Sequence, residues 1–252
     1  SEAFCSIQLV QFYTGILHNF TPTLTPGVKS AIAYPGFLGG TDWGGVSVDV
    51  DRKLLIVNSN HVANRNSLIP RKEADRLGVR PADLSKDIAP PHGLSAQAGT
   101  PYAAKPSPFL SPLFAPCQAP PYGRLTAVDM ISRKVVWSHP IGTARDSGPM
   151  GLSSQLPIPM GTPNMGGAVT TRGGLIFIAA TQDRYIRAFD SSTGSLRWKA
   201  RLPAGGQATP MTYVSPKSGR QFVVIAAGGH LMLNTKIGDY IVAYALPKDR
   251  AD

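Results

Sequence analysis

Short apolar runs recur along the chain, and each one follows a pair of glycines. The runs occupy residues 54–57, 175–178 and 222–225, and the glycine pairs occupy 44–45, 166–167 and 205–206. An apolar run of this length between turn-forming residues is typical of a buried β-strand. The pattern therefore predicts a repeated unit, a glycine pair followed by a buried strand, that occurs three times.

A second element follows the first two of these strands. An apolar segment ends at Asp129 in one unit and at Asp190 in the other, and a tryptophan, Trp137 or Trp198, comes eight residues later in both. The Ser-Thr-Gly-Ser sequence after Asp190 predicts a hairpin. We expect both tryptophans to be mostly buried in outer strands, with the aspartates at equivalent hairpin entrances. Residues 240–245 would form the third copy.

These units predict an all-β fold, a partial β-propeller. Four-stranded units that recur at about 40 to 60 residues, each with a glycine signature and an aromatic residue, are typical of propeller blades. A β-sandwich is the alternative, but it does not require a tryptophan at a fixed place in each unit. The composition also favours many short strands, since the chain has 26 glycines, 23 prolines and 16% charged residues.

Two long segments interrupt the repeats. Residues 61–122 are rich in proline and alanine and are predicted to be an ordered insertion, with a short helix over 71–77. Residues 142–163 form a second long loop, and long loops on a rigid scaffold commonly carry function. The predicted organisation is one propeller portion over 1–252 that contains the insertion.

The charge and the cysteines argue against two classes of function. The formal net charge is +10, but the basic residues are scattered, and no nucleic-acid-binding module or basic strip with interleaved aromatic residues is present. Cys5 and Cys117 lack the short paired spacing of a zinc site. They could form a disulfide in an oxidising compartment or remain two thiols. No segment has the ~18 to 20 apolar residues that a membrane-spanning helix needs.

No set of residues forms a complete catalytic constellation, because a nucleophile elbow, a phosphate-binding loop and suitably spaced carboxylates are all missing from the sequence. Several longer motifs are distinctive instead. They read DWGGVSVD, LIPRKEADRLG, FLSPLFAPCQAPPYGRLTAVD, IGTARDSGPMG, RLPAGGQATPMTY, VVIAAGGH and TKIGDYIVAYALP. Together, from about Cys5 to Pro247, they resemble the C-terminal region of the membrane-bound quinoprotein glucose dehydrogenases and their quinate/shikimate relatives.

The resemblance implies a fold and an activity. The fold would be about four blades of an eight-bladed propeller with long loop insertions, built around pyrroloquinoline quinone (PQQ) and a divalent cation, calcium or magnesium. Such an enzyme oxidises a sugar or polyol, glucose to gluconolactone being the leading reaction, and passes electrons to ubiquinone at the periplasmic face of the inner membrane. Quinate or shikimate is the alternative substrate. A non-catalytic propeller scaffold is the alternative function.

The resemblance also implies that this chain is incomplete as a catalyst. In the family the proposed base, a PQQ-contacting lysine and the tryptophan beneath the cofactor lie upstream of the matched region, so we assign no catalytic residue. The missing N-terminal part of the same polypeptide would supply these groups, and the membrane anchor is likewise expected outside this chain. The 252 residues alone are therefore expected to be inactive.

Five positions match cofactor-lining positions of the family: Asn58, Asp183, His230, Gly142 and Trp43. The amide of Asn58 would donate to PQQ oxygens and help to order the bound cation. Asp183 matches an acidic residue near the pocket, and His230 matches a histidine implicated in the site. Gly142 and Trp43 match residues that line it.

Each polar position also has a structural alternative. Asn58 would otherwise be a turn residue that ends the strand over 54–57, and Asp183 a turn aspartate neutralised by Arg184 or Arg187. His230 would be a structural histidine in a glycine-rich loop.

Trp43 also has a structural alternative, and the residues after His230 depart from the family pattern. Trp43 is expected to pack between blades rather than to face a ligand, because aromatic rings commonly fill such interfaces. After His230 the family has small residues, whereas this chain has Leu-Met-Leu-Asn over 231–234. Bulky side chains there would change the shape of the loop, and with it cofactor affinity or substrate preference.

Overall fold

Nearly all regular structure of the chain is β-strand. A computed structural model describes residues 16–17, 30–79, 93–97 and 99–246. The strands of these residues are β1 (Ile16–Leu17), β2 (Ala31–Ala33), β3 (Val46–Asp49), β4 (Leu54–Asn60), β5 (Asn64–Pro70), β6 (Tyr102–Pro108), β7 (Gly123–Asp129), β8 (Val135–Pro140), β9 (Ala168–Thr170), β10 (Leu175–Ile178), β11 (Tyr185–Asp190), β12 (Leu196–Arg201), β13 (Met211–Val214), β14 (Gln221–Ala227) and β15 (Tyr240–Ala245). The helical segments among them are the α-helix Arg71–Arg76 and the 3-10 turns Ala144–Asp146, Pro149–Gly151 and Leu231–Leu233. The all-β prediction is confirmed.

The chain folds as two compact units. The first contains residues 1–39 and 62–119, and the second contains 40–61 and 120–252. Among the described residues, the first unit holds one sheet of order β1-β2-β5-β6, in which β1 and β2 are parallel. The second unit holds three antiparallel sheets of orders β3-β4-β7-β8, β12-β11-β10-β9 and β13-β14-β15. Antiparallel sheets in chain order are the arrangement that propeller blades require.

The long segment over residues 61–122 connects β4 and β7, two neighbouring strands of the same sheet. Strands β4 and β7, which flank the segment, are neighbours in a sheet of the second unit, whereas β5 and β6 pair with each other in the first unit. The predicted helix is present as Arg71–Arg76. Its Arg71 guanidinium donates to the backbone carbonyls of Val79, Ala96 and Tyr102, and Ala74 is buried beneath it.

The division of the chain into a propeller portion and an insertion stays a prediction. Cys5 lies outside the described residues, so the pairing of the two cysteines also stays a prediction. No helix among the residues that the structure describes is long and apolar enough to cross a membrane.

The predicted glycine-and-strand repeat is present in the second unit. Each glycine pair lies just before the first strand of its sheet, and the apolar run that follows forms the second strand, β4, β10 or β14. Alternate side chains of these strands meet in the core between neighbouring sheets. One cluster includes Leu54, Ile56, Leu125, Ile176 and Ile178, and the next includes Ile186, Leu202, Val223 and Ile225. Each of the first two sheets therefore buries one face against the sheet that follows it.

The second repeated element is confirmed in register as well as in sequence. Trp137 lies opposite Ala127 and Trp198 lies opposite Ala188, and each pair of strands has a bulge at the next position. Asp129 Oδ1 accepts the backbone N–H groups of residues 131 and 132, and Asp190 Oδ1 accepts those of 192 and 193. The two aspartates therefore stand at equivalent hairpin entrances, where a short carboxylate satisfies turn amides.

The prediction that both tryptophans are buried is wrong for Trp198. Trp137 is 8% exposed and donates from Nε1 to the carbonyl oxygen of Ser191 at 2.9 Å, in the hairpin of the next sheet. Trp198 is 37% exposed and meets the edge of Tyr244 at a centroid distance of 4.9 Å. The sheet beside Trp198 has three strands, β13 to β15, among the described residues, and the Tyr244 ring of that sheet contacts the Trp198 ring. The two positions are equivalent, but their neighbours differ.

This difference predicts unequal costs of truncation. Trp137→Ala should lower the free energy of unfolding by about 3 to 5 kcal/mol, because it removes a buried ring and leaves a cavity. Trp198→Ala should cost about 1 to 2 kcal/mol, because much of that ring already contacts water. Urea denaturation of both variants measures the two values. Equal losses would show that burial in the described residues does not govern the contribution of these rings.

Candidate functional site

Asn58 points into the interior of the second unit. Strand β4 continues to Asn60 and buries alternate residues, so Asn58 lies inside the strand, and the interpretation of it as a turn residue after position 57 is wrong. Its Nδ2 donates to the carbonyl oxygen of Gly166 at 2.9 Å. Its Oδ1 is buried and has no hydrogen-bond partner among the described residues. An unpaired buried amide oxygen is costly unless something else satisfies it.

Glycine backbones pack against one another beside Asn58. A Cβ atom on Gly44 would collide with the backbone of Gly166, and a Cβ atom on Gly166 would collide with the carbonyl of Gln207. Gly166 also has φ +123°, a conformation that side chains strongly disfavour. The three segments belong to three successive sheets. The close approach of neighbouring sheets therefore explains the glycines at 44, 166 and 167.

Trp43 and His230 lie together although they are far apart in sequence. Their ring centroids are 5.2 Å apart and the rings are tilted by 41°. Trp43 is 58% exposed, so the prediction that it packs between blades is wrong. His230 is half-buried, and its Nδ1 has no hydrogen-bond partner among the described residues. Two of the five predicted positions thus form an aromatic pair with an open nitrogen.

Asp183 is held in a saturated network. It is fully buried, forms an ion pair with Arg187, and accepts hydrogen bonds from Thr181 Oγ1 (2.6 Å), Thr143 Oγ1 (2.7 Å) and Thr143 N–H (2.8 Å). Burial alone would raise the pKa of this carboxyl, but the charge of Arg187 and these hydrogen bonds outweigh burial and lower it. Arg184 is not the neutralising partner, since it pairs with Asp146. These contacts support the structural interpretation of Asp183.

Gly142 adjoins the Asp183 network. Its φ is +95°, and a Cβ atom there would collide with Thr162 Oγ1 and press on Thr181. Only glycine fits this position without strain. Gly142 therefore lets the chain pass close to Thr181, and this space requirement explains it without a ligand.

Two buried residues that the sequence did not single out connect these parts. Gln207 Nε2 donates to the carbonyl oxygen of Thr181 at 3.2 Å, and Gln207 Oε1 accepts from Thr235 Oγ1 at 3.1 Å. Thr235 Oγ1 accepts the backbone N–H of His230 at 2.7 Å. The signal in the sequence is a polar residue directly after a glycine pair, but that pattern also fits an exposed turn.

The residues fit part of a cofactor site. Asn58 Oδ1 is an amide oxygen, the ligand type that calcium and magnesium prefer, and it has no protein partner in the described part of the chain. His230 Nδ1 is likewise buried and without a hydrogen-bond partner among the described residues, and its ring contacts the exposed ring of Trp43. Within the same residues, no group of three or more His, Cys, Asp or Glu side chains could hold a metal ion. Among the described residues, Thr162 Oγ1 and Asn164 Oδ1 are also buried side-chain oxygens without a hydrogen-bond partner, so Asn58 is one of three such oxygens that could serve as metal ligands.

The fold and the site together define a propeller-type scaffold with unpaired polar atoms on strand β4 and in the loop after β14. Comparison with known proteins gives the family. The family model "PQQ: Glucose/ethanol/alcohol dehydrogenase, beta-propeller domain" matches residues 1–223. The chain belongs to this family of PQQ-dependent dehydrogenases.

Two curated relatives cover most of the chain. It is 46% identical over 222 residues to the probable quinate dehydrogenase (quinone) of Xanthomonas campestris pv. juglandis, covering 88% of this chain and 28% of the relative. It is 44% identical over 246 residues to the quinoprotein glucose dehydrogenase of Escherichia coli (strain K12), covering 97% of this chain and 30% of the relative. The chain thus spans less than a third of the length of these relatives.

A solved structure supports the fold. A europium-containing methanol dehydrogenase aligns with a TM-score of 0.53 at 22% identity, over 81% of this chain and 28% of that chain. At this identity the similarity concerns the fold alone, and it agrees with the propeller prediction.

The Asp183 network predicts a pH-dependent contribution to stability. Asp183→Asn should lower the free energy of unfolding at pH 7 by about 3 to 5 kcal/mol, because it leaves Arg187 buried without its counter-charge. The pKa of Asp183 is lower in the folded chain than in the unfolded one, so this stability is present above about pH 4 and is lost as the pH falls through the folded value.

Chemical denaturation between pH 7 and pH 3 tests this expectation. Asp51→Asn is the matched control, because Asp51 is exposed and pairs with exposed Arg172 at 3.8 Å. The control should leave stability nearly unchanged at every pH. A constant difference between Asp183→Asn and the wild type down to pH 3 would contradict the assignment.

Proposed function

We propose that the chain is the C-terminal portion of a PQQ-dependent dehydrogenase that oxidises a sugar or polyol and passes the electrons to ubiquinone. The proposal rests on two buried polar atoms that have no hydrogen-bond partner among the described residues, Asn58 Oδ1 and His230 Nδ1, in a member of the PQQ dehydrogenase family. PQQ, when bound, supplies the two-electron oxidation chemistry. The residues of this chain would bind and orient PQQ and its divalent cation.

Asn58 has a specific role in this proposal. Its Nδ2 is already used by the carbonyl oxygen of Gly166, so the group left for a ligand is Oδ1, an acceptor. An acceptor suits a calcium or magnesium ion better than it suits the oxygens of a quinone, which also accept. The contacts therefore support Asn58 as a cation ligand rather than as a donor to PQQ.

Trp43 and His230 have a different role. The exposed face of Trp43 offers a surface on which a flat or sugar-like ligand stacks, and His230 Nδ1 offers one hydrogen-bonding group at its edge. Asp183 and Gly142 do not present a free polar atom to a ligand in this arrangement. We therefore place them behind the site, where they hold the connection over residues 179–183 between β10 and β11.

The substrate is proposed to be glucose, with quinate as the alternative. Identity does not separate the two, because the quinate and glucose dehydrogenases named above are equally similar within two percentage points. The electron acceptor is proposed to be ubiquinone, at the periplasmic face of the inner membrane. Steady-state assays of the full-length parent protein with each substrate and a ubiquinone analogue decide between glucose and quinate.

The isolated 252-residue chain should not oxidise glucose when PQQ and a divalent cation are added. The proposed base, lysine and stacking tryptophan of the family lie outside it, and three neighbouring sheets leave strand edges that a closed propeller would cover. Dye reduction by the purified chain, with the full-length parent as the positive control, measures this. Turnover by the isolated chain would contradict the expectation.

Asn58→Ala in the full-length protein should weaken PQQ binding in the presence of the cation while the fold is retained. One buried interaction is lost, which corresponds to about 1 to 3 kcal/mol or roughly ten- to a hundredfold in affinity. Titration of the quinone absorbance gives the Kd, and circular dichroism reports on the fold.

Asn66→Ala is the matched control, because Asn66 is a half-buried strand asparagine of β5 in the other unit. It should leave the affinity for PQQ unchanged. An unchanged affinity in Asn58→Ala would remove Asn58 from the site. A full-length protein without any quinone absorbance or dye reduction would favour the scaffold function instead.

A further inference from the structure

We propose that Gln207 and Thr235 are positioning residues. A buried hydrogen-bond chain through both holds the His230 backbone, and the Gln207 backbone, packed on Gly166, holds the carbonyl group that orients Asn58. The inference rests on the proposed function, because it assigns roles around the same site. Neither Gln207 nor Thr235 was predicted from the sequence. Both are buried, so neither is exposed for direct contact with a substrate, and an effect on the site must pass through other residues.

Gln207 is held at both ends of its amide. Its Nε2 lies 3.2 Å from the carbonyl oxygen of Thr181 and 3.4 Å from that of Ala180, and its Oε1 accepts from Thr235. Because carbonyl oxygens only accept and the Thr235 hydroxyl can donate, the amide has one orientation that satisfies all partners. Gln207 is thus a fixed link between the strand end at 180–181 and the loop that carries His230.

The His230 loop is tied to this link by Thr235. Thr235 Oγ1 accepts the backbone N–H of His230 at 2.7 Å. Its hydrogen has Gln207 Oε1 as the nearer acceptor, at 3.1 Å, and the carbonyl oxygen of His230 as the farther one, at 3.4 Å. The backbone N–H of Gly229 donates to the carbonyl oxygen of Gly205 at 2.9 Å, beside the same chain. His230 stands just before the 3-10 turn Leu231–Leu233, so the direction of its ring depends on how this backbone is held.

Asn58 is connected to Gln207 as well, through Gly166 and the backbone of Gln207. Asn58 Nδ2 donates to the carbonyl oxygen of Gly166, and Gly166 packs on the backbone of Gln207 so closely that a side chain on Gly166 would collide with it. The orientation of the Gly166 carbonyl decides which amide atom of Asn58 stays open. Gln207 therefore contacts both halves of the site, one through its backbone and one through its side chain.

The test uses isosteric variants of Thr235 in the full-length parent protein. Thr235→Val keeps the shape and removes the hydroxyl, whereas Thr235→Ser keeps the hydroxyl. Thr126→Val is the matched control, because it removes the hydroxyl of a half-buried threonine on β7 that lies 2.8 Å from Ser138 Oγ on β8. Gln207→Glu tests the other residue of the chain, because it removes the amide group that donates to the carbonyl oxygens of residues 180 and 181.

Two readouts separate positioning from general stability. The first is the rate at which diethyl pyrocarbonate modifies His230, measured by peptide mass spectrometry against exposed His139 as an internal reference. This rate does not require PQQ. The second is the Kd for PQQ from the quinone absorbance. Thr235→Val and Gln207→Glu should each change both by about three- to tenfold, the effect of one hydrogen bond. Thr235→Ser and Thr126→Val should match the wild type.

Each outcome decides the proposal. An unchanged His230 rate in Thr235→Val, or an equal change in Thr126→Val, overturns the positioning role. A changed rate that Thr235→Ser restores supports it. If the rate follows this pattern while the wild-type protein shows no PQQ binding, the hydrogen-bond chain stands and the proposed function fails.

Discussion

The close packing of glycine backbones between neighbouring sheets is the constraint on which the second unit depends. Gly44 touches the backbone of Gly166, and Gly166 touches that of Gln207, so three successive sheets approach at one level. A single methyl group at either glycine would force them apart. Because strand ends converge there, residues distant in sequence, such as Trp43 and His230, come within ring contact.

Strand β4 shows how the core and the site share one surface. Its buried face carries Leu54 and Ile56 first and then Asn58 and Asn60. The apolar pair packs in the core between sheets, where burial stabilises the fold. The asparagines bind backbone groups of the next sheet, because buried amides need partners: Asn58 binds the carbonyl of Gly166, and Asn60 exchanges hydrogen bonds with the backbone of Asn164. The site thus begins where the apolar half of the strand ends.

The outcomes at Asp183 and Trp198 show why equivalent sequences reach different environments. Asp183 has two arginines nearby in sequence, but only Arg187, a buried residue of β11, forms an ion pair with it. Arg184 pairs with Asp146 instead. Trp137 and Trp198 share spacing, register and bulge, yet a hairpin of the next sheet covers the first, and one tyrosine ring meets the second. Local sequence patterns specify where a residue lies within its sheet, but they do not specify which residues of the adjacent sheet contact it.

The sequence by itself determined the strand repeat and the hairpin entrances, because glycine pairs, period and turn chemistry are local properties. It indicated the family through the resemblance of its longer motifs. It also singled out Asn58 and His230, but by resemblance rather than by physics. The tertiary structure alone decided which of their atoms stay open, that Trp43 faces outward, and that Gln207 and Thr235 join the two halves of the site. Those facts depend on contacts between sheets, and hydrogen bonds between residues far apart in the chain leave no periodic trace in its sequence.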